Sequence, residues 1–178
     1  MRQLIGPEEL ADRIRLYGAK LDRLARTSDV TFLPVMHGAG WVFQHLMEHI
    51  SPESTHRERW IVAQSYGDGR EARPVRIYAD WLQPEKNVAG RHVVVIDDVL
   101  DTGLTIDAVV KFIEQFAPAS VRTFFMLRKD CPRRRPCEPD YVMFDVPDVW
   151  LVGAGLDHEG KFRHLPYVAE LPRDGQSA

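Results

Sequence analysis

The stretch VVVIDDVLDTGLT, residues 93–105, constrains the fold more than any other part of the sequence. It opens with four aliphatic residues, Val93–Ile96, a run typical of a strand buried on both faces of a parallel sheet. Asp97 and Asp98 follow directly, and a polar turn then leads into apolar residues at helical spacing. A strand, a turn and a helix in this order predict an α/β unit whose acidic side chains lie at the carboxyl end of the sheet, where such folds bind ligands.

The rest of the chain shows the same alternation of strands and helices. Apolar residues at helical spacing predict helices over about 7–26, 39–50 and 106–116. Short extended runs predict strands at about 30–36, 60–63, 75–81, 93–96, 121–127, 141–144 and 150–152. We therefore predict the α/β class, with crossover connections between parallel strands.

Composition and charge exclude several classes of protein. The chain has 178 residues, 44% of them hydrophobic, which suits a single domain with its own core. Its 23 basic and 26 acidic residues give no basic excess, so we expect no nucleic-acid partner. No apolar run is long enough for a membrane span or a signal peptide, so we expect no membrane association. The two cysteines, Cys131 and Cys137, match no common zinc spacing and indicate free thiols in a cytoplasmic protein.

The turn at residues 101–105 has the features of a phosphate cradle. A helix N-terminus offers free backbone N–H groups, Gly103 allows close approach, and two threonines add hydroxyl donors. Nearby carboxylates would repel a phosphate unless they serve sugar hydroxyls, a magnesium ion or a proton transfer. Simple helix caps are the alternative for each aspartate taken alone. A receiver-type acid pair would come much earlier in the chain, and a Walker loop would need the sequence Gly-Lys-Thr or Gly-Lys-Ser, which is absent here.

Taken together, these motifs resemble the type I phosphoribosyltransferases, and more narrowly the hypoxanthine-guanine phosphoribosyltransferases. VVVIDDVLDTGLT resembles the family signature for 5-phosphoribosyl-1-pyrophosphate, and the segment from Glu138 to Leu171 resembles the purine-binding end of the subfamily. LPVMHGAGWVFQHL matches its first pyrophosphate-contacting loop, and SYG at residues 65–67 matches its mobile catalytic loop. The resemblance covers about residues 5–171.

The resemblance implies a fold with a twisted, parallel-rich sheet flanked by helices and a small hood. It implies one phosphoribosyltransferase domain over 1–178, with a core at about 28–130 and a hood built from about 1–27 and 131–171. Residues 172–178 are expected to form a flexible tail.

For the phosphoribosyl donor, the resemblance assigns residues to the ribose, the 5′-phosphate and the pyrophosphate, and it assigns catalytic residues as well. Asp97 and Asp98 would face the ribose hydroxyls, directly or through magnesium, and Asp101 would act near N7 of the purine as general base or acid. Ser65 and Tyr66 would belong to the catalytic loop. The remaining donor-binding residues would wrap the 5′-phosphate (Asp101, Thr102, Gly103, Leu104 and Thr105) or face the pyrophosphate (His37, Gly38 and Arg163).

For the purine, the resemblance assigns four residues. Lys129 would hydrogen-bond the 6-oxo group, Trp150 would stack on the base, and Leu151 would contact the base edge through its backbone. Asp157 would lie at the base edge and help to hold a magnesium ion, together with Asp97 and Asp98. Taken singly, Trp150 reads as core and Lys129 as part of a solvated basic loop, so these assignments depend on their joint spacing.

The chain departs from the family pattern in its first loop. Met36-His37-Gly38 stands where the family commonly has Leu-Lys-Gly, so a fixed positive charge is replaced by histidine. The family often has a non-proline cis peptide in this loop, which predicts a cis bond between Met36 and His37. Asp97-Asp98 also replaces the usual Glu-Asp.

The resemblance implies a magnesium-dependent purine salvage enzyme. It would transfer phosphoribose from 5-phosphoribosyl-1-pyrophosphate to hypoxanthine or guanine, forming IMP or GMP and pyrophosphate, as a homodimer or homotetramer. One alternative is a non-catalytic regulator of the same fold that binds RNA near Arg133, Arg134 and Arg135. The other is a transferase for another base, such as xanthine or a pyrimidine.

Overall fold

The computed structural model describes residues 1–65, 75–79, 83–133 and 137–172. Within these ranges it has helices α1 (Pro7–Thr27), α2 (Gly40–Met47), α3 (Pro84–Val88) and α4 (Leu104–Glu114). Its strands are β1 (Arg2–Ile5), β2 (Val30–Met36), β3 (Arg57–Glu58), β4 (Ile61–Ser65), β5 (Val75–Tyr78), β6 (His92–Leu100), β7 (Ser120–Asp130), β8 (Tyr141–Pro147), β9 (Leu151–Val152) and β10 (Val168–Glu170).

The main sheet has the order β5-β4-β2-β6-β7-β8, and β3 pairs with β2. All of these pairings are parallel except that of β4 with β5. Strand β6 lies inside the sheet between β2 and β7, and its residues Val93–Ile96 have no exposed surface. The predicted α/β class, with a fully buried central strand, is therefore confirmed.

Helices cover both faces of the main sheet. One face packs against α1 and α2, whose apolar side chains such as Leu10, Leu21 and Leu46 are at most 1% exposed. The other face packs against α4 through Ile106, Val109 and other aliphatic side chains. Helix α1 begins at Pro7 as the sequence predicted, because proline suits the first turn and Glu8 and Glu9 lie at the positive end of the helix dipole.

A second, smaller sheet joins distant parts of the chain. Strand β10 pairs antiparallel with both β1 and β9, and Arg2 forms an ion pair with Glu170 at 2.8 Å. This sheet brings segments from both ends of the described chain together beside the main sheet, as the predicted hood requires. The residue boundaries proposed for core and hood stay predictions.

The structure also differs from the sequence-based elements at several points. Strand β6 continues to Leu100, so Asp97 and Asp98 belong to the strand itself, with Asp97 opposite Phe125 of β7. Helix α2 is shorter than predicted and ends at Met47. Four short elements, β1, β3, β10 and α3, were not predicted because two to five residues carry no readable periodicity. Among the described residues, no helix is both long and apolar enough to cross a membrane.

Candidate active site

The carboxyl ends of β2, β6 and β7 meet at one edge of the main sheet because these strands are parallel. At this edge Asp97 is 7% exposed, and its carboxylate accepts a hydrogen bond from the Asp98 amide at 3.0 Å. Asp98 in turn accepts one from the Val99 amide at 2.7 Å. Burial raises the pKa of Asp97 well above its ordinary value, and the charge of Asp98 adds to the rise. Burial also raises the pKa of Asp98. Both carboxylates therefore gain from a cation or hydroxyl donor placed beside them.

A small cavity lies between Asp97 and the turn that leads into α4. Its volume is about 50 Å³, and its walls include Asp97, Thr102, Gly103 and Thr105. Gly103 has φ of 78°, a left-handed conformation that favours glycine, and it caps the N-terminus of α4. The predicted phosphate cradle thus has a small cavity, two threonines and a helix N-terminus in one place.

Lys129 contacts two carboxylates at the end of β7. Its Nζ lies 3.1 Å from Oδ2 of Asp101 and 3.5 Å from Oδ1 of Asp148, and its side chain is only 14% exposed. The Cys131 sulfur lies 3.4 Å from Oδ1 of Asp101. The alternative in which Lys129 belongs to a solvated basic loop is therefore wrong, because Lys129 is part of a strand and is mostly buried.

The first loop packs directly on the acidic strand end. The Met36–His37 peptide bond is cis, which confirms the prediction, and the His37 side chain is exposed. A Cβ atom at Gly38 would overlap Oδ2 of Asp98. A residue with a side chain at this position would therefore force the loop or the Asp98 carboxylate to shift.

Arg163 contacts the segment that follows β9. Its guanidinium forms an ion pair with Asp157 at 2.6 Å and donates a hydrogen bond to the carbonyl of Gly155 at 2.6 Å. A Cβ atom at Gly155 would lie 2.6 Å from the Gly38 carbonyl oxygen, so the two glycine backbones are in close contact. The positive charge of Arg163 also opposes the rise in the pKa of Asp98, which burial causes.

Trp150 stands immediately before β9. Its side chain is 51% exposed and meets the ring of His158 edge to face, with centroids 5.4 Å apart. The alternative in which Trp150 is an ordinary core residue is therefore wrong. Leu151 is buried in β9, where it pairs with Glu170 of β10.

The structure describes only part of the predicted catalytic loop. Ser65 is the last residue of β4, whose carboxyl end lies at the same edge of the sheet as that of β2. Tyr66 lies outside the described residues, as do Gly67, Arg134 and Arg135. Their assigned roles stay predictions.

The sequence analysis missed three residues of the site. Cys131, Asp148 and His158 each contact a predicted site residue, namely Asp101, Lys129 and Trp150. Cys131 and Asp148 are short polar residues next to strand ends, and His158 lies in a loop. No spacing in the sequence marks them, and only the parallel packing of β6 against β7 brings Cys131 to Asp101.

The acidic residues suit a magnesium ion that is shared with a substrate. Magnesium is usually held by one or two carboxylates together with substrate phosphates rather than by a cage of protein ligands. No group of three or more potential ligands is found within the described ranges. Asp97 and Asp98 at the strand end, and Asp157 beside Arg163, are carboxylates of the appropriate chemical type.

The fold and this constellation define a class of protein, the phosphoribosyltransferases. A family profile described as the phosphoribosyl transferase domain matches residues 6–159. The chain belongs to this family. Its relatives further indicate the hypoxanthine-guanine branch, as the sequence resemblance predicted.

Three known proteins illustrate the similarity. The hypoxanthine-guanine phosphoribosyltransferase of Bacillus subtilis is 30% identical over 170 residues, which cover 94% of this chain and 91% of that protein. The hypoxanthine-guanine-xanthine phosphoribosyltransferase of Tritrichomonas foetus is 28% identical, with 96% and 91% coverage. A crystal structure of a hypoxanthine-guanine phosphoribosyltransferase from Bacillus anthracis matches with a TM-score of 0.86 and 26% identity, covering 97% of this chain and 99% of that one.

Proposed function

We propose that this protein transfers phosphoribose from 5-phosphoribosyl-1-pyrophosphate to N9 of hypoxanthine or guanine, forming IMP or GMP and pyrophosphate. The contact between Lys129 and Asp101 at 3.1 Å is the observation that carries the proposal. In a 6-oxopurine, O6 and N7 are neighbours on one edge of the ring. A lysine donor beside a carboxylate acceptor suits that edge, with Lys129 toward O6 and Asp101 toward a proton on N7.

The donor would lie along the sheet edge. The 5′-phosphate would occupy the cavity lined by Thr102, Gly103 and Thr105, where backbone N–H groups and hydroxyls offset its charge. Asp97 and Asp98 would accept hydrogen bonds from the ribose hydroxyls. This arrangement would leave C1′ of the sugar beyond the strand end, toward the purine.

The reaction breaks the bond from C1′ to pyrophosphate and forms the bond from C1′ to N9. As N9 gives its electron pair to C1′, the proton on N7 passes to the Asp101 carboxylate. The exposed indole of Trp150 would hold the flat base in place during this transfer. Arg163 and the backbone near Gly38 would offset the charge of the leaving pyrophosphate.

A magnesium ion would be held by Asp157, Asp97 and Asp98 together with substrate oxygens. When bound, it would offset negative charge on the pyrophosphate. The ion pair between Asp157 and Arg163 would then place both positive charges on the same side of the donor.

We also propose a cytoplasmic homodimer or homotetramer. The free cysteines support the location, and the family resemblance supports the assembly. Size-exclusion chromatography with light scattering would measure the subunit number.

Xanthine is the second candidate base. The Tritrichomonas foetus relative, whose name includes xanthine, supports this alternative. The side chains assigned to the base, Lys129 and Trp150, would contact O6 and the face of the ring. Hypoxanthine, guanine and xanthine share both features. The two side chains therefore do not rank these bases.

The regulator alternative depends on RNA binding near Arg133. Arg133 donates a hydrogen bond to the Lys129 carbonyl at 3.4 Å, so part of its guanidinium is engaged within the protein, while Arg134 and Arg135 lie outside the described residues. The enzyme names of the relatives also favour catalysis.

The decisive experiment measures nucleotide formation from a panel of bases with 5-phosphoribosyl-1-pyrophosphate and magnesium. Hypoxanthine and guanine should give products, adenine and uracil should give little, and the rate with xanthine decides whether this third 6-oxopurine is also a substrate. Salt-dependent RNA binding without any nucleotide product would favour the regulator instead.

A further inference from the structure

We propose that Cys131 is a positioning residue for Asp101, with its thiol donating a hydrogen bond to one carboxylate oxygen while Lys129 holds the other. The proposal rests on the proposed function, in which Asp101 accepts the proton of the purine. It adds a residue to which neither the sequence pattern nor the family resemblance assigns a role.

Cys131 and Lys129 each contact a different oxygen of the Asp101 carboxylate. The Cys131 sulfur lies 3.4 Å from Oδ1 of Asp101 and 3.9 Å from its backbone carbonyl oxygen, and Nζ of Lys129 lies 3.1 Å from Oδ2. Asp101 itself stands in the turn between β6 and α4, so no regular element fixes its side chain. Lys129 and Cys131, at the end of β7, supply the hydrogen bonds to this carboxylate that the described part of the chain shows.

The surroundings of Cys131 keep its sulfur protonated. Burial raises the pKa of the thiol, and the hydrogen bond to Asp101 and the charges of Asp101 and Asp148 add to the rise, while Lys129 opposes it. A protonated thiol can donate to the carboxylate, whereas a thiolate would repel it. The same shift makes Cys131 a poor nucleophile, which argues against a role in covalent chemistry.

A thiol is suited to orient a proton acceptor because it weakens that acceptor less than a hydroxyl donor would. Donors to a carboxylate favour its charged form and so make it a weaker base, and hydroxyl groups are stronger donors than thiols. Cys131 would restrict the rotation of Asp101 and lower its basicity, but by less than a hydroxyl donor would. Among the described residues, Lys129 and Asp148 are further charged groups near Cys131, and Asp97 lines the same cavity as Asp101.

Two substitutions test whether Cys131 orients the Asp101 carboxylate or only fills space beside it. Cys131→Ala removes the donor, so kcat should fall about 2- to 10-fold, the loss expected for one hydrogen bond, and the acid limb of the kcat/KM profile should move to higher pH. Cys131→Ser replaces the donor with a stronger one, so the acid limb should move to lower pH than in the wild type. The KM for the phosphoribosyl donor should change little in either variant.

Cys137→Ala is the matched control. Cys137 is the other free cysteine and lies beside α4 in a separate cavity with Lys111 and Glu138, so its loss should leave rate and pH profile unchanged. The idea is overturned if Cys131→Ala keeps the wild-type acid limb. If that variant does not fold, a Cys131→Ser acid limb identical to the wild type overturns it equally. A wild-type protein that forms no nucleotide would instead refute the proposed function.

Discussion

The ammonium group of Lys129 and the carboxylate of Asp101 are hydrogen-bonded at 3.1 Å across the ends of two neighbouring parallel strands. In the free protein, Lys129, which would donate to the 6-oxo group, and Asp101, which would accept the purine proton, therefore neutralise each other's charge. A 6-oxopurine presents an acceptor and a proton side by side, so it can take over both partners. A 6-aminopurine would place its amino group, a hydrogen-bond donor, against the Lys129 ammonium group, which would then lack an acceptor.

Lys129→Gln should therefore change base choice more than donor binding. We expect a loss of hypoxanthine use and relaxed discrimination against adenine, because a glutamine amide can accept as well as donate. The measurement is kcat/KM for hypoxanthine and adenine at saturating donor. Lys111→Gln, on the exposed face of α4, is the control, since its ion pair with Asp107 lies on the surface. An unchanged hypoxanthine-to-adenine ratio in Lys129→Gln would remove Lys129 from the base site.

Asp101→Asn should keep the shape of the cradle but remove the proton acceptor. General-base contributions are typically about 10²–10⁴-fold, so kcat should fall by this range while donor affinity changes little. Single-turnover kinetics and donor binding by calorimetry would measure both quantities. Asp130→Asn, an exposed neighbour at the end of β7, should behave as wild type. Near-normal turnover in Asp101→Asn would refute the general-base role.

Gly38→Ala should disrupt the strand end, because the added methyl group would overlap the Asp98 carboxylate. The loop or the carboxylate must shift, so we expect weaker binding of donor and of pyrophosphate. Gly40→Ala is a matched control two residues away, where the nearest atom would be Cε of the flexible Met36 at 3.4 Å. Equal donor affinity in both variants would show that the close packing of Gly38 on Asp98 has no role in binding.

Asp97→Asn should stabilise the free protein near neutral pH. The folded-state pKa of Asp97 is raised by burial and by the charge of Asp98, so the folded state binds a proton more tightly than the unfolded one. Stability therefore falls as pH rises from about 4, the ordinary value for the unfolded chain, toward the raised value. Thermal unfolding without ligand or metal should give a higher Tm for Asp97→Asn at pH 7, with the difference shrinking toward pH 4. The same variant should bind the donor less well. A lower Tm at pH 7 would contradict the prediction.

His37 allows a test of the chain's departure from the family pattern. Its side chain is exposed at the cis peptide of the first loop, next to Gly38. Lysine carries a fixed positive charge, so His37→Lys should strengthen inhibition by pyrophosphate at neutral pH. His37→Ala should weaken inhibition, because it removes a hydrogen-bonding ring beside the anion. Identical inhibition curves for wild type and His37→Ala would mean that the ring points to solvent or to a subunit neighbour.

How much of the fold and of the site could be predicted from the sequence depends on how far apart in the chain the interacting residues are. The buried run of Val93–Ile96 and the helical spacing of α1 are local patterns, and both elements formed where they were predicted. The contact of Cys131 with Asp101 joins residues 30 positions apart and depends on the register of β6 against β7, which no local pattern carries. Strand β10 is three residues long and is defined only by its partners. The cis bond was predicted through resemblance to a family, because composition and periodicity do not encode it.

The small sheet has a consequence for the order in which the protein can fold. Strand β9, which follows Trp150 directly, is held by β10, and β10 is held by β1, where Arg2 meets Glu170 across a separation of 168 residues. Contacts of such long sequence separation form late, since the entropy of closing the loop is lost before they are made. During synthesis the phosphate cradle could therefore form first. Trp150 and β9, which would hold the base, could be fixed only after residues 168–170 have left the ribosome. A nascent chain arrested before that point should bind 5-phosphoribosyl-1-pyrophosphate but not the purine.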